Sequence, residues 1–508
     1  MSAARTDLTR TRRGLEELGC SLADLYYRNL VGELKQLDTG PVFAEHAGLA
    51  TEKALTDVTA ERKRAEREGR GEDARLLRYL EYDLLGTVVG ERFQKASDEL
   101  SNIESSATIT ANGATKPYRD YPALVLNEPD RERRRAWRAA EDAVRVKELI
   151  PRRERLIHET EAYVRDDLGQ PSEAKQFESV KGFSLKELET VTRDLLRTTK
   201  SLYRDAFDDR LRKAFGIPLA EAEGHDFAPI RRAPHFDGWF PRDELVKACF
   251  RTHKALGLNL DTLPNVTLDL EARPGKQTRA FLYPVRVPSD IRLVTYPMGG
   301  FDDWRSLMHE SGHAVHFAYT DASLPYEDRT MGEYGVTETY AFLFENLLRD
   351  PAWLEENARV PKDKVPELLD HIGTFELRSL RYYSGALAYD HWLAKRRGLE
   401  GAKEKYVRSM TSALLYKARD IDYLETDGLY GTAYLRAWLF EAMLRASLKE
   451  KFGDRWWHDP GAGRLLKDLF KRGSAPKCED LARDLDLGDG LDVKPLRADL
   501  ERMLGAAA

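Results

Sequence analysis

Along most of the chain, apolar residues recur at three- and four-residue intervals, the spacing of a helix with one buried face. LADLYYRNLVGELKQL, ARLLRYLEYDLLGTVVGERFQKASDEL and LKELETVTRDLLRTTKSLYRDAFDDRLRKAF all show it. Their outer positions alternate in charge sign, as solvated helix faces do. Two stretches break the pattern. Residues 106–130 hold Asn112-Gly113 between Thr/Ile-rich flanks, which predicts a small hairpin. Residues 265–298 alternate β-branched and polar residues between Pro-Gly and Pro-Ser turns, which predicts several short strands. The stretch from 216 to 240, rich in Gly, Pro and His, reads as a junction. The pattern predicts a mainly α protein of two lobes. A helical N-terminal lobe covers 1–215, and a second lobe covers 216–508 with a small sheet within 265–298. No internal repeat is found.

Composition narrows the function. The 508 residues are 42% hydrophobic and 33% charged, enough for a large core and too structured for general disorder. The net charge of −6 gives no global attraction to nucleic acid or anionic lipid. The basic run RERRRAWR (131–138) is read as a solvated helix start after Glu128-Pro129-Asp130. Cys20, Cys249 and Cys478 are too few and too scattered for a disulfide scaffold or a Cys₄ zinc ribbon, and fit a reducing, cytoplasmic compartment. The first twenty residues carry basic groups but no apolar run behind them, so no secretory signal is expected. No run of about 18 apolar residues occurs, so no membrane span is expected.

The chemistry lies in LMHESGHAVHF, residues 307–317. His309 and His313 are four apart with Glu310 beside the first. On a helix that spacing puts both rings on one face, about 6 Å apart at Cβ, so that two nitrogens reach one zinc ion at about 2.1 Å. Zinc lowers the pKa of a water it binds to about 7, and Glu310 can take the proton. Asp302 and Asp303 can cap this helix. By chance the motif arises in roughly one chain of this size in a hundred. A third ligand is needed. Glu338, 25 residues after His313, sits in the apolar helix VTETYAFLFENLL and is the best placed. An unpaired carboxylate there costs free energy. Glu345 shares its face and would steady a ligand ring or a nearby Arg. Glu333, in the preceding loop, is the alternative ligand, and His316 reads as packing.

HESGHAVHF followed by VTETYAFLFENL, preceded by RPGKQTRAFLYPVRVPSDIRLV, resembles the thimet oligopeptidase and oligopeptidase F family of gluzincin zinc peptidases. The resemblance covers residues 265–350 and a second block at 420–455. It implies a deep cleft or channel, one Zn²⁺ on His309, His313 and Glu338, and Glu310 as general base. It further implies that Tyr430 and Tyr434, in DYLETDGLYGTAYLRAWLFEAMLRASLKEKFG, donate to the oxyanion. Where that family has a further Tyr this chain has Ala437, and where it has a His this chain has Glu425 or Asp427. Arg436 is similar to an arginine of the angiotensin-converting-enzyme group and could hold a substrate carboxylate. The strands at 279–287 and 290–296 could pair with an extended peptide, or simply support the metal helix.

The expected function is a zinc endopeptidase acting on short unfolded peptides, as monomer or homodimer, with no nucleic-acid or membrane partner. A zinc carboxypeptidase or dipeptidyl carboxypeptidase is the alternative, with Arg279, Arg381 or Arg436 as the cation for the terminal carboxylate. An inactive, zinc-stabilised peptide-binding protein is the third.

Overall fold

The computed structural model describes residues 2–505, with side chains from 8 to 505; the ends of the chain, including the first residues of the basic N-terminal segment, lie outside them. The fold is 71% helical. Helix α1 (Ser2–Leu30) is followed by α2 (Glu52–Arg67) and α3 (Gly71–Ser106). Strands β1 (Thr108–Ala111) and β2 (Ala114–Pro117) form the hairpin that Asn112-Gly113 predicts. Both turn residues have positive φ, 53° and 76°, the requirement of a tight two-residue turn. Helix α4 (Arg131–Val144) carries the basic run, and its charges are not simply solvated. Arg131 and Arg134 both reach the buried Asp226, at 3.0 and 3.2 Å, and Arg138 reaches Asp422 at 2.8 Å. The solvated-face reading is corrected: the run ties distant segments together.

The short helix α5 (Phe227–Arg232) leads to strands β3 (Val266–Asp269), β4 (Phe281–Arg286) and β5 (Asp290–Val294). The sheet order is β3-β5-β4, with β3 parallel and β4 antiparallel to β5. Strand β4 is therefore an edge. Helix α1 is pinned to this sheet by Arg292–Asp24 at 2.7 Å and by Tyr27 packing with Val294.

Helices α6 (Phe301–Tyr319) and α7 (Tyr334–Glu345) form the centre of the molecule. Between 334 and 345, ten of the residues are buried, so α7 is apolar on nearly every face. Gly312 sets how closely α6 and α7 approach. A Cβ there would lie 2.5 Å from Tyr340 O and 2.7 Å from Ala341 Cα. Asp303 does not cap α6; its Oδ2 accepts from the N–H groups of Met298 and Gly299, both at 2.8 Å, and so fixes the entering loop. Helix α8 (Val365–Leu393) packs against α9 (Gly431–Phe452), which in turn packs against α7. One apolar cluster joins Leu195, Tyr203 and Phe207 to Leu377, Leu380 and Leu435, so side chains from either side of residue 215 share a core. Among the described residues no helix is long and apolar enough to cross a membrane.

Gly312→Ala is expected to force α6 and α7 apart and to destabilise the fold by about 1–3 kcal/mol, the usual cost of overpacking. Urea titration of the purified variant reads this directly, as a lowered midpoint with an unchanged slope.

Candidate metal centre

The Gly312 contact brings α7 against the His-bearing face of α6. His309, His313 and Glu338 each offer one ligand atom, all within 4.8 Å of one another. His309 Nε2 is 3.4 Å, and His313 Nε2 3.6 Å, from Glu338 Oε2. Ligands held tetrahedrally at about 2.1 Å from one zinc ion lie about 3.4 Å apart. Glu338 is 3% exposed, and its Oε2 has no hydrogen-bond partner. A buried carboxylate oxygen aimed at two ring nitrogens and otherwise unsatisfied fits a cation, which would end its isolation. The residues present therefore suit a divalent metal.

The opposite edges of both rings are fixed. His309 Nδ1 donates to Glu345 Oε2 at 2.8 Å, and Arg305 donates to the other oxygen of Glu345 at 2.9 Å. The carboxylate can only accept, so the proton sits on Nδ1. His313 Nδ1 pairs with Thr337 Oγ1 at 2.8 Å. Each ring is thus oriented with Nε2 towards Glu338. Glu345 holds both a ligand ring and an Arg. Thr337 is a supporting residue that the sequence reading missed, although it directly precedes Glu338.

Burial opposes charge at this centre, but the pairs overcome it. Desolvation raises the Glu338 carboxyl pKa, yet the adjacent His313 and His309 hold it well below the usual carboxylate range. Desolvation lowers the His309 pKa, yet Glu338 and Glu345 hold it well above the ordinary value for histidine. In the absence of a metal, these two carboxylates favour the protonated ring.

Glu310 lies on the same helix, half-buried, with Oε2 accepting from Leu282 N at 3.0 Å. This bond ties it to the edge strand β4 and leaves Oε1 without a bond to any described group. Tyr430 Oη donates to Glu338 Oε1 at 2.7 Å, so this phenol is engaged with the ligand carboxylate. Tyr434 packs edge-on against Tyr430, with ring centres 5.4 Å apart, and against Tyr383 at 5.0 Å. No described residue bonds its hydroxyl. Burial, followed by the charges of Glu338 and Asp427, raises its pKa, so it stays protonated at neutral pH.

Other expectations are corrected. Glu333 is not at the metal centre: it forms a buried pair with Arg436 and accepts from Cys478 N at 2.9 Å. That pair, with Glu479, removes Arg436 from any substrate. Arg381 is 1% exposed and donates to Ala413 O and Leu196 O, both at 2.7 Å, which excludes it as well. Arg279 remains exposed. His316 is packing: it is buried against Tyr340, and burial pulls its pKa down to about 3. Ala437 is in the core, Glu425 faces Arg145, and Asp427 accepts from Tyr383 Oη at 2.8 Å.

As a sequence, the chain matches no family model and no curated protein. Its fold is shared with solved peptidases. PZ peptidase A aligns with TM-score 0.68 and 13% identity over 95% of this chain and 90% of that one. A Bacillus anthracis protein assigned by inference as oligoendopeptidase F aligns at 0.67 and 15%, over 95% and 88%. The M32 carboxypeptidase of Deinococcus radiodurans R1 aligns at 0.59 and 16%, over 99% of both chains. The fold is thus shared with both oligoendopeptidases and carboxypeptidases.

Zinc must displace the Nε2 proton of His309, so uptake at pH 7 is expected to release about one proton. Below the raised pKa, each pH unit of acidification should lower affinity about tenfold. Calorimetric titration with Zn²⁺ in buffers of different ionisation enthalpy measures both. Glu338→Ala should lose stoichiometric zinc by elemental analysis, and Glu345→Gln should weaken it about 10- to 100-fold.

Proposed function

We propose that this chain is a zinc-dependent oligopeptidase that hydrolyses bonds within short, unfolded peptides. The observation that carries the reading is Glu310 standing beside the convergent His309, His313 and Glu338, with one of its carboxylate oxygens unengaged. Zinc held by those three residues would polarise the peptide carbonyl and acidify water at the site. Glu310 takes the proton from the attacking water and passes it to the departing amine. Its hydrogen bond from Leu282 fixes where Oε1 points. Tyr434 supplies a protonated phenol for the developing oxyanion, while Tyr430 positions the Glu338 carboxylate.

Strand β4 suits an extended substrate. The Leu282 N–H turns away from β5 to Glu310, and alternation places Pro284 on the same outward edge, where it has no N–H. That edge therefore offers mainly carbonyls, which accept from the N–H groups of a peptide and ignore its side chains. The expected partners are short peptides, not nucleic acid or membranes, with the chain as monomer or homodimer. Three free cysteines support a cytoplasmic setting.

Glu310→Gln should keep zinc and lose about 10²- to 10⁴-fold in kcat on a mixed peptide library read by mass spectrometry. A variant cleaving at the wild-type rate would contradict the assignment of the base. Tyr434→Phe should lower kcat by about 10- to 1,000-fold with little change in KM; Tyr430→Phe should instead weaken metal retention.

A further inference from the structure

A cavity of about 310 Å³ lies on the far side of His309 from the ligand atoms. Glu345 and Phe342 form part of its wall, and both touch His309: Glu345 by its hydrogen bond, Phe342 with ring centres 5.1 Å apart. Glu345 and Phe342 therefore stand between the cavity and the His309 ring. It is lined by Arg231 of α5, Arg305 of α6, Arg349, and Arg378 of α8. The acids that line it are Asp302, Glu345 and Glu376. Glu345 is held by His309 and Arg305, and Glu376 by Arg349 through one oxygen, its Oε1 being buried without a partner. Asp302 reaches Arg305 at 3.8 Å. His371, the remaining titratable group of the wall, is uncharged at neutral pH, burial pulling its pKa down to about 4.

The hydrogen-bond inventory of this wall is unbalanced towards donors. Arg231 is exposed and its guanidinium makes no hydrogen bond or ion pair with the described residues, although Asp302 lies near enough to favour its charge. Arg378 donates only to Tyr416 Oη, at 3.0 Å, and rests 4.6 Å above the Phe227 ring; its Nε is buried without a partner. Asn346 Nδ2 is likewise buried and unpaired. A buried donor left unpaired is costly, which applies to Arg378 Nε and Asn346 Nδ2. An anion in the cavity would meet the guanidinium groups of Arg231 and Arg378, and a planar carboxylate matches guanidinium geometry. The apolar remainder, including Phe227, Phe342 and Trp438, would take a side chain.

We propose that this cavity is a carboxylate-binding subsite in which Arg231, Arg378 and Asn346 hold a carboxylate of the substrate within a few residues of the cleaved bond. The carboxylate has two sources, the C-terminus of a short peptide or an Asp or Glu side chain. The first source would trim peptides from their C-termini. It replaces Arg381 and Arg436 with residues that face the site. The proposal rests on the peptidase reading for the identity of its ligand, though binding can be measured without turnover.

The test uses zinc-loaded Glu310→Gln protein and calorimetry with acetylated tetra-alanine as free acid and as amide, then with amidated peptides ending in Glu or Gln. The free acid, or the Glu peptide, is expected to bind about 10- to 100-fold more tightly than its neutral counterpart. Arg231→Met and Arg378→Met should each move that ratio towards one. Arg231 is exposed to the cavity, so its variant tests the subsite even if loss of the packed Arg378 impairs folding. Preference for the acid over the amide assigns the terminal carboxylate, and preference for Glu over Gln the side chain. Equal or absent binding of all four peptides, or a preference that survives both substitutions, overturns the subsite. Preferential binding by a wild-type protein that cleaves no peptide would leave the subsite standing and end the peptidase reading.

Discussion

The contact between Gly312 and the backbone of Tyr340–Ala341 is the constraint on which the centre depends. Helices α6 and α7 approach closely enough there that any Cβ would collide with a carbonyl oxygen. That approach carries Glu338 to within 3.4 and 3.6 Å of two imidazole nitrogens. It also lets Glu345 and Thr337 hold the other edges of the same rings. Ligand spacing, ring orientation and the charge of the carboxylate all follow from one helix crossing. Because α7 is apolar on nearly every face, its position is fixed by the surrounding core, and the metal centre inherits that rigidity.

Electrostatics divides the centre into two sides. On the Nε2 side, a buried carboxylate oxygen of Glu338 faces two ring nitrogens without a hydrogen-bond partner. On the Nδ1 side, Glu345 and Arg305 complete the hydrogen bonding of His309, and beyond them lies a wall with more donors than acceptors. Metal and carboxylate would thus bind on opposite faces of one histidine. This arrangement gives a short peptide two anchors, one at the reacting carbonyl and one at a carboxylate, without demanding a side-chain sequence.

The helical architecture, the hairpin and the three-stranded sheet were legible because they depend on local signals: periodicity, Asn-Gly turn chemistry and β-branched alternation. The convergence of His309, His313 and Glu338 was legible because two of them share a helix turn and the third is an acid in an otherwise apolar helix. Arg436 and Glu333 were misplaced because both look uncommitted in sequence, whereas in space they neutralise each other beneath Cys478. The basic run at 131–138 was misread for the same reason, its partners Asp226 and Asp422 being far off in the chain. Arg231, Asn346 and Arg378 carry no local signature at all. Their shared property, donors without acceptors around one space, exists only after folding.

The most direct measurement is anomalous X-ray diffraction at the zinc edge from crystals grown with Zn²⁺. A single strong peak about 2.1 Å from the Nε2 atoms of His309 and His313 and from a carboxylate oxygen of Glu338 is the expected result. A peak coordinated elsewhere, or an empty centre with Glu338 turned away from both rings, would contradict the account.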